Sequence, residues 1–330
     1  MNDILRKVLS RIAEYRDNYS AEILSEEEAR ILAALPSNET LDILSVAGAV
    51  RAVCAPAFFN CGIINARSGR CQENCAFCAQ SGHYNTNVSV YSFASEETLL
   101  RKAEEACKAG AKRFGIVTSG TFLPEKDVDA LCHAVERIIR CTGIGVCVSL
   151  GMLNAERALR YRQAGVTRYH HNLETAASYF PKICTTHAYE EDIATVNIAR
   201  RAGMQVCSGG IIGLGESWDQ RIEFAMTLAD LDVDSIPVNF LNAIPGTPLE
   251  SMPRLKPEEA LRSIALFRML NPSRDILIAG GRSHVLKEWQ SWLYAAGANG
   301  MMIGNYLTTL GASFSEDHAM MHTLGVYDAQ

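Results

Sequence analysis

One alternation, repeated eight times, constrains this chain more than any other feature. From Ala52 onward, short apolar runs alternate with stretches of helical periodicity. The runs lie at 58–65, 113–118, 145–150, 168–173, 205–212, 235–241, 276–279 and 300–303. Helical patterns separate them at 96–109, 126–141, 154–164, 189–202, 217–231, 257–271 and 284–296. An Ala-Gly dipeptide stands before several runs, in KAGAKR, RQAGVTR, RRAGMQ and YAAGANG. That dipeptide marks a helix C-cap leading into a turn and a strand. Strand, helix and strand in succession build a parallel sheet with helical cover. Eight strands in this order predict an α/β chain closed as a (β/α)8 TIM-type barrel; a doubly wound open sheet is the alternative. Residues 1–52 read differently. Ile4, Val8, Leu9 and Ile12 share one helical face, Ser25 and Glu28 suit a capping box, and Asn38 with Leu41, Ile43 and Leu44 opens a third helix. The expected organisation is an N-terminal helical extension over 1–52 and the barrel over 53–330.

Composition narrows the function. The 330 residues are 48% hydrophobic and 21% charged, with a net charge of −6 and no Lys/Arg run. That balance argues against nucleic acid or an anionic membrane as partner. No stretch approaches the ~20 continuous apolar residues of a membrane span. The first twenty residues are amphipathic and charged, without the apolar region of a signal peptide. A cytoplasmic protein is expected. There are eleven cysteines, none beyond Cys207. Disulfide frameworks belong to small secreted chains, so these are read as thiols or metal thiolates.

Three of them crowd into RCQENCAFCAQS at 70–81, as Cys71, Cys75 and Cys78. The segment follows the first strand, which places it in the first βα loop, on the rim where barrel enzymes hold their chemistry. A structural zinc site would need a fourth ligand, and no second C-x-x-C pair exists. Cys75 and Cys78 form a C-x-x-C of the redox type, without the small thioredoxin context. An iron–sulfur cluster takes thiolates as its normal ligands, and a four-iron cube on three thiolates leaves one iron open. Phe77 is placed to shield such a cluster.

The spacing C-x3-C-x-aromatic-C, together with CSGGIIGLGES, resembles the radical S-adenosylmethionine superfamily. Five stretches in order, NARSGRCQENCAFCAQS, HHNLETA, VCSGGIIGLGE, PVNFLNAIPGTPL and AGGR, resemble the biotin synthase family. They run from Asn65 to Arg282, and about 235–315 resembles that family's biotin/thiamin-synthesis-associated part. The resemblance implies a sulfurtransferase in which Cys71, Cys75 and Cys78 hold a [4Fe-4S] cluster. The open iron would chelate the amine and carboxylate of S-adenosylmethionine. Reductive cleavage would give a 5′-deoxyadenosyl radical that takes hydrogen from dethiobiotin, and an auxiliary iron–sulfur cluster would donate the sulfur. Cofactor contacts are implied at Asn172, Glu174, Gly209 and Gly210, and substrate contacts at Asn172, Asn239, Thr308 and Thr309. An electron donor such as flavodoxin or ferredoxin and a homodimer are implied as well. The plainer readings are a glycine-rich turn at 209–210 and a helix cap at 308–309.

The auxiliary site departs from the family pattern of three strand cysteines and an arginine. Cys147, Cys207 and Arg282 match it; the remaining cysteine position is Gly115, in KRFGIVTSG. Cys61 on the first strand, or Cys184 in PKICTTH, is the expected replacement. The favoured set is Cys61, Cys147 and Cys207 with Arg282 beside them, in a cluster of altered nuclearity. Cys54, Cys107, Cys132 and Cys141 are expected to be structural. His170 stands where the family often has Asn, and Asp192 where an arginine is common. The rival functions are a related radical enzyme on another substrate and a non-catalytic iron–sulfur protein.

Overall fold

The structure, a computed structural model, describes residues 1–17, 22–304, 306–308 and 311–325. One sheet contains β1 (Phe59–Arg67), β2 (Arg113–Thr118), β3 (Gly145–Ser149), β4 (Arg168–His170), β5 (Gln205–Cys207), β6 (Gly210–Ile212), β7 (Ser235–Phe240), β8 (Asp275–Ile278) and β9 (Gly300–Met302). All pairings between these strands are parallel. The order β5-β4-β3-β2-β1-β9-β8-β7-β6 closes on itself because β5 also pairs with β7. β5 and β6 are two halves of the single run expected at 205–212, so eight staves make a closed (β/α)8 barrel. The break between them has a local cause. Pro237 of β7 lies opposite and has no N–H to give the ladder. Its carbonyl oxygen stands only 2.1 Å from where a Cβ on Gly209 would be, so only glycine fits there.

The helices are α1 (Asp3–Asp17), α2 (Glu26–Ala33), α3 (Thr40–Cys54), α4 (Glu96–Lys108), α5 (Glu125–Thr142), α6 (Ala155–Gln163), α7 (Tyr189–Arg201), α8 (Trp218–Asp230), α9 (Pro257–Leu270), α10 (Arg282–Leu286) and α11 (Phe314–Thr323). Ser25 and Glu28 form the expected capping box of α2. Each glycine of the four Ala-Gly dipeptides, Gly110, Gly165, Gly203 and Gly297, takes the positive φ that ends its helix. The helix expected at 284–296 is different: α10 stops at Leu286 and continues as a 3-10 turn, because Lys287 adopts a φ of +48°. α2 and α3 pack on the outer helices α8 and α9. Arg262 of α9 fixes this contact by donating to the carbonyls of Leu32 and Leu35 at 3.2 and 2.7 Å.

Strand alternation divides the barrel's residues into two populations. Phe114, Ile116, Val146, Val148, Val206 and Ile236 are buried in the core that unites the sheet with its helices. Their neighbours Gly115, Cys147 and Cys207 face inward with Cys61 and His170. On the β8–β9–β1 side the interior holds an apolar cluster of Leu277, Ala279 and Met302, packed on Ile63 and Tyr306. Elsewhere the interior mixes thiols and polar groups with a few apolar side chains such as Val117 and Ile211.

Candidate active site

The cysteine loop leaves β1 through Gly69 and Arg70, both at positive φ, and folds over the barrel mouth. Its ends are clipped together. The Cys71 amide donates to Gln80 at 2.9 Å, and the Gly82 amide donates to Cys71 at 2.7 Å. The Ala76 amide donates to Ile183 at 2.8 Å, and the Asn74 side chain donates to Thr185 at 2.7 Å, tying the loop to the segment after β4. These bonds set Cys71, Cys75, Cys78 and Phe77 on the wall of one cavity of about 400 Å³ at the C-terminal end of the barrel. Burial, and then the nearby Cys71, pushes the Cys78 thiol up to about 11. Cys75 is raised as well, first by its hydrogen bond to Cys184 and then by burial. Thiols raised this way keep their protons against water and yield them to a bound metal.

A fourth sulfur does lie near. Cys184 Sγ is 3.9 Å from Cys75 Sγ and is held by Asn74, Thr186 and His187. Thiolates on different corners of a four-iron cube stand farther apart than that. Cys184 therefore sits against Cys75 rather than at a corner of its own, and the triplet presents three thiols to the cavity. Glu73, from inside the cysteine loop, accepts from Thr121 and pairs with His187 Nδ1 at 2.8 Å. The other nitrogen of His187 meets Asp192 at 3.2 Å, and Asp192 meets His171 at 2.7 Å. Burial opposes the charged imidazole, yet Asp192, Cys184 and Glu73 outweigh it and lift His187 to about 11. His187 is thus a cation on the cavity wall. Sequence reasoning singled out Asp192 but missed Glu73, His171 and His187. Glu73 sits inside the motif itself, and an ionisable residue between two motif cysteines was the available signal.

A second chain of contacts lines the same cavity. His170 Nε2 bonds Asn172 Oδ1 at 2.8 Å, and Asn172 Nδ2 donates to Glu174 at 3.3 Å. Burial lowers His170 to about 4, so it is the neutral imidazole that meets Asn172. Burial, and then the Asp192 carboxylate, raises Glu174 to about 8. Both Asn172 and Glu174 line the cavity. Gly209 and Gly210, expected to touch a ligand, do not line it. They are needed for backbone approach instead: a Cβ on Gly210 would stand 2.2 Å from the Glu174 carbonyl oxygen. The Glu174 amide donates to Gly209, and the Ile211 amide donates to Glu174. This pairing holds Glu174 at a φ of +65° with its carboxyl turned into the cavity. The two glycines thus position Glu174 from behind.

Asn239 lines the cavity from β7. Its Nδ2 donates to Gly210 at 3.1 Å and its Oδ1 accepts from Gly280 at 2.8 Å. An amide offers two donors and two lone pairs, so one of each stays free for a ligand. Thr308 lines the same cavity; Thr309 lies outside the described residues.

Beneath this cavity, deeper in the barrel, is a small chamber. The two share Ile63, Val117, Ser149, His170 and Met302 as a partition. Cys61, Cys147 and Cys207 line the chamber together. Burial raises all three thiols, and Cys147 and Cys207 raise Cys61 further. Cys184 is not among the lining residues. Gly115 lies between Cys147 and Ile63 in register, and a side chain there would press on Ile63 at 3.0 Å. Ile63 therefore occupies the space that a cysteine at 115 would need.

The expected arginine is a correction. Arg282 opens α10, beyond the end of β8, and its guanidinium binds Asp317 at 2.7 Å and Gln290 at 2.8 Å. β8 sends Leu277 into the chamber instead, and the arginines among the cysteines are Arg113 of β2 and Arg168 of β4. The Arg168 side chain donates to Gln205 at 3.2 Å; burial opposes its charge, and Cys207 and Cys147 outweigh burial in favour of the cation.

Comparison with known proteins bears on this arrangement. Residues 66–228 match the radical SAM superfamily, and 237–327 match the biotin and thiamin synthesis associated domain. The chain is 54% identical over 313 residues to the biotin synthase of Nitratidesulfovibrio vulgaris (strain DSM 19637 / Miyazaki F), covering 92% of this chain and 86% of that one. It is 47% identical over 321 residues to the biotin synthase of Syntrophus aciditrophicus, covering 97% and 99%. Among solved structures, methylornithine synthase (PylB) superposes with a TM-score of 0.81 at 18% identity, over 98% of this chain and 97% of that one. The [FeFe]-hydrogenase maturase HydG superposes with a TM-score of 0.79 at 16% identity, over 97% and 75%. The structural likenesses establish the barrel alone. Near-half identity along almost the whole chain goes further: the chain belongs to the biotin synthase family of the radical SAM superfamily.

Proposed function

We propose that this protein inserts sulfur into dethiobiotin to form biotin, with Cys71, Cys75 and Cys78 holding a [4Fe-4S] cluster and Cys61, Cys147 and Cys207 holding an auxiliary iron–sulfur cluster. The observation that carries this reading is the stacking of two thiol triads along one barrel axis, separated by the shared residues Ile63, Val117, Ser149, His170 and Met302. A substrate lying on that partition has a cluster on each side. When bound, the upper cluster and S-adenosylmethionine supply a hydrogen-abstracting radical, and the lower cluster supplies sulfide.

The chain's own residues bind and orient. Glu174 and Asn172 face the cavity from the end of β4, suited to the hydroxyls of the cofactor ribose. The His187 imidazolium, fixed by Asp192 and Glu73, offers positive charge to the cofactor carboxylate on the wall where family members often carry arginine. Asn239 keeps one N–H and one lone pair for a ureido ring. Thr308, and Thr309 beyond it, are suited to the substrate carboxylate. Gly209 and Gly210 act by positioning Glu174. Arg168 faces the lower triad, where its cation balances thiolate charge. The electron donor is proposed to be flavodoxin- or ferredoxin-like, and the protein a cytoplasmic homodimer; among the described residues no helix is long and apolar enough to cross a membrane.

The test is an anaerobic incubation of the reconstituted protein with dithionite, S-adenosylmethionine and dethiobiotin. Formation of 5′-deoxyadenosine together with biotin is expected. Deoxyadenosine only with a different substrate, or none at all, overturns the reading.

A further inference from the structure

Below the lower triad, at the N-terminal end of the barrel, lies a surface cavity lined by Lys112, Arg113, Gly145, Arg162, Thr167, Gly203 and Gln205. Its linings continue inward along the same strands. Arg113 borders both this cavity and the cysteine chamber, and Gly145 and Gln205 are each followed two residues on by a chamber cysteine, Cys147 and Cys207. Inward-facing residues recur every second position in a strand, so these staves form one wall from solvent to thiols. Gln205 Oε1 joins two cations, accepting from Arg113 at 2.9 Å and from Arg168 at 3.2 Å. Arg168 is almost wholly buried, and its Nε has no hydrogen-bond partner. Ser235, which also lines the chamber, has an equally unpartnered hydroxyl. Asp275 faces this group from β8, 3.7 Å from Arg168 and bound by Asn299 at 3.0 Å; Asp234 is bound by the Val206 amide. Four cations, Lys112, Arg113, Arg162 and Arg168, thus stand against two carboxylates that already have partners.

We propose that this basal cavity is an anion port, through which hydrosulfide enters from the N-terminal end of the barrel and reaches the Cys61, Cys147 and Cys207 chamber past Arg113, Gln205 and Arg168. The proposal rests on the reading of that chamber as the auxiliary cluster site. Each turnover removes a sulfide from the chamber while the cofactor and substrate fill the upper cavity. A second opening lets a small anion in without displacing them. Arginine and lysine at the mouth concentrate an anion, and the unpartnered Arg168 Nε and Ser235 hydroxyl give it donors inside. The proposed ligand is monoanionic and soft, which suits guanidinium and iron better than water.

The experiment uses the full-length chain with Cys71, Cys75 and Cys78 replaced by alanine, so that the chamber is its one proposed cluster site. The protein is loaded anaerobically with ferric iron and mixed with sodium sulfide, and the sulfide-to-iron(III) charge-transfer absorbance is followed. Added Lys112→Glu and Arg162→Glu, both exposed and outside the chamber lining, are expected to slow the rise roughly tenfold. The final absorbance and iron count should be unchanged, and the rate should lose its sensitivity to added sodium chloride. Arg113→Lys, which keeps the positive charge where the port meets the chamber, should leave the rate near the parent's. An unchanged rate in the charge-reversed protein overturns the port. So does a lower plateau at unchanged rate, which would make these residues cluster supports. Failure of the parent protein to develop absorbance overturns the chamber assignment, and the port with it.

Discussion

Asn239 shows how little freedom a single side chain has here. Its amide already joins β6 to the turn after β8 through Gly210 and Gly280. Asn239→Ala would leave the buried Gly210 carbonyl and the half-buried Gly280 amide without this partner, at about 1–3 kcal/mol. It would also remove the free donor and acceptor proposed for substrate. The expected outcome is a rise in KM for dethiobiotin of roughly tenfold or more with a smaller change in kcat; a change confined to stability would count against substrate contact. Glu174 offers a pH test. Its carboxyl is raised to about 8, above the ordinary carboxylate value of an unfolded chain. A group raised on folding adds stability that is fully present below its unfolded value and is lost as pH climbs through the folded one. The metal-free protein should therefore lose stability from this group between the ordinary carboxylate range and about pH 8. Glu174→Gln should remove that dependence, worth up to roughly 5 kcal/mol. Urea midpoints of the two proteins at a pH of about 5 and about 9 make the comparison, and parallel behaviour would exclude the assignment. At the lower triad, Cys61→Ala is expected to reduce auxiliary iron and sulfide while the signal of the upper cluster persists; unchanged counts would remove Cys61 from the ligand set.

At the scale of elements, the run at 205–212 teaches the most. Its apolar pattern reads as one strand, and the barrel uses it as one stave, yet it is broken where Gly209 passes the Pro237 carbonyl. The signal for the break was a proline on a different strand, so it became readable only once β5, β6 and β7 were neighbours. The glycines at 209–210 looked like a ligand cradle for the same reason: in sequence they have no neighbours but their own. Gly210→Ala would drive a methyl group to 2.2 Å from the Glu174 carbonyl oxygen. Overpacking of this kind costs about 1–3 kcal/mol or more. It should also move Glu174, so weakened cofactor binding is expected to accompany the lower melting point. Loss of stability with unchanged cofactor affinity would show that the carboxyl is positioned some other way. Helix ends, by contrast, were legible throughout. The capping box at Ser25 and Glu28 and the Ala-Gly stops depend on residues within one turn of each other.

For the whole molecule, the apolar core lies mainly between the sheet and its helices, while the two thiol triads lie on the axis. Iron should therefore not be needed for the barrel to fold. Anaerobic removal of iron is expected to leave the far-ultraviolet circular dichroism intact and to lower Tm by only several degrees, the linkage effect of a lost ligand. Loss of a cooperative transition would mean that the clusters organise the fold.

The sequence by itself determined the barrel, because the alternation of strand and helix is written in periodicities a few residues long. It also determined that three thiols would stand together at the barrel mouth, because three cysteines within eight residues need no distant partner. Only the tertiary structure decided that Cys61 joins Cys147 and Cys207, that Cys184 lies against Cys75, and that Arg113 and Arg168 rather than Arg282 face the lower thiols. Those neighbours come from different staves. Whether they meet depends on the register and inward phase of strands far apart in the chain, and a shift of one residue would turn each side chain to the opposite face.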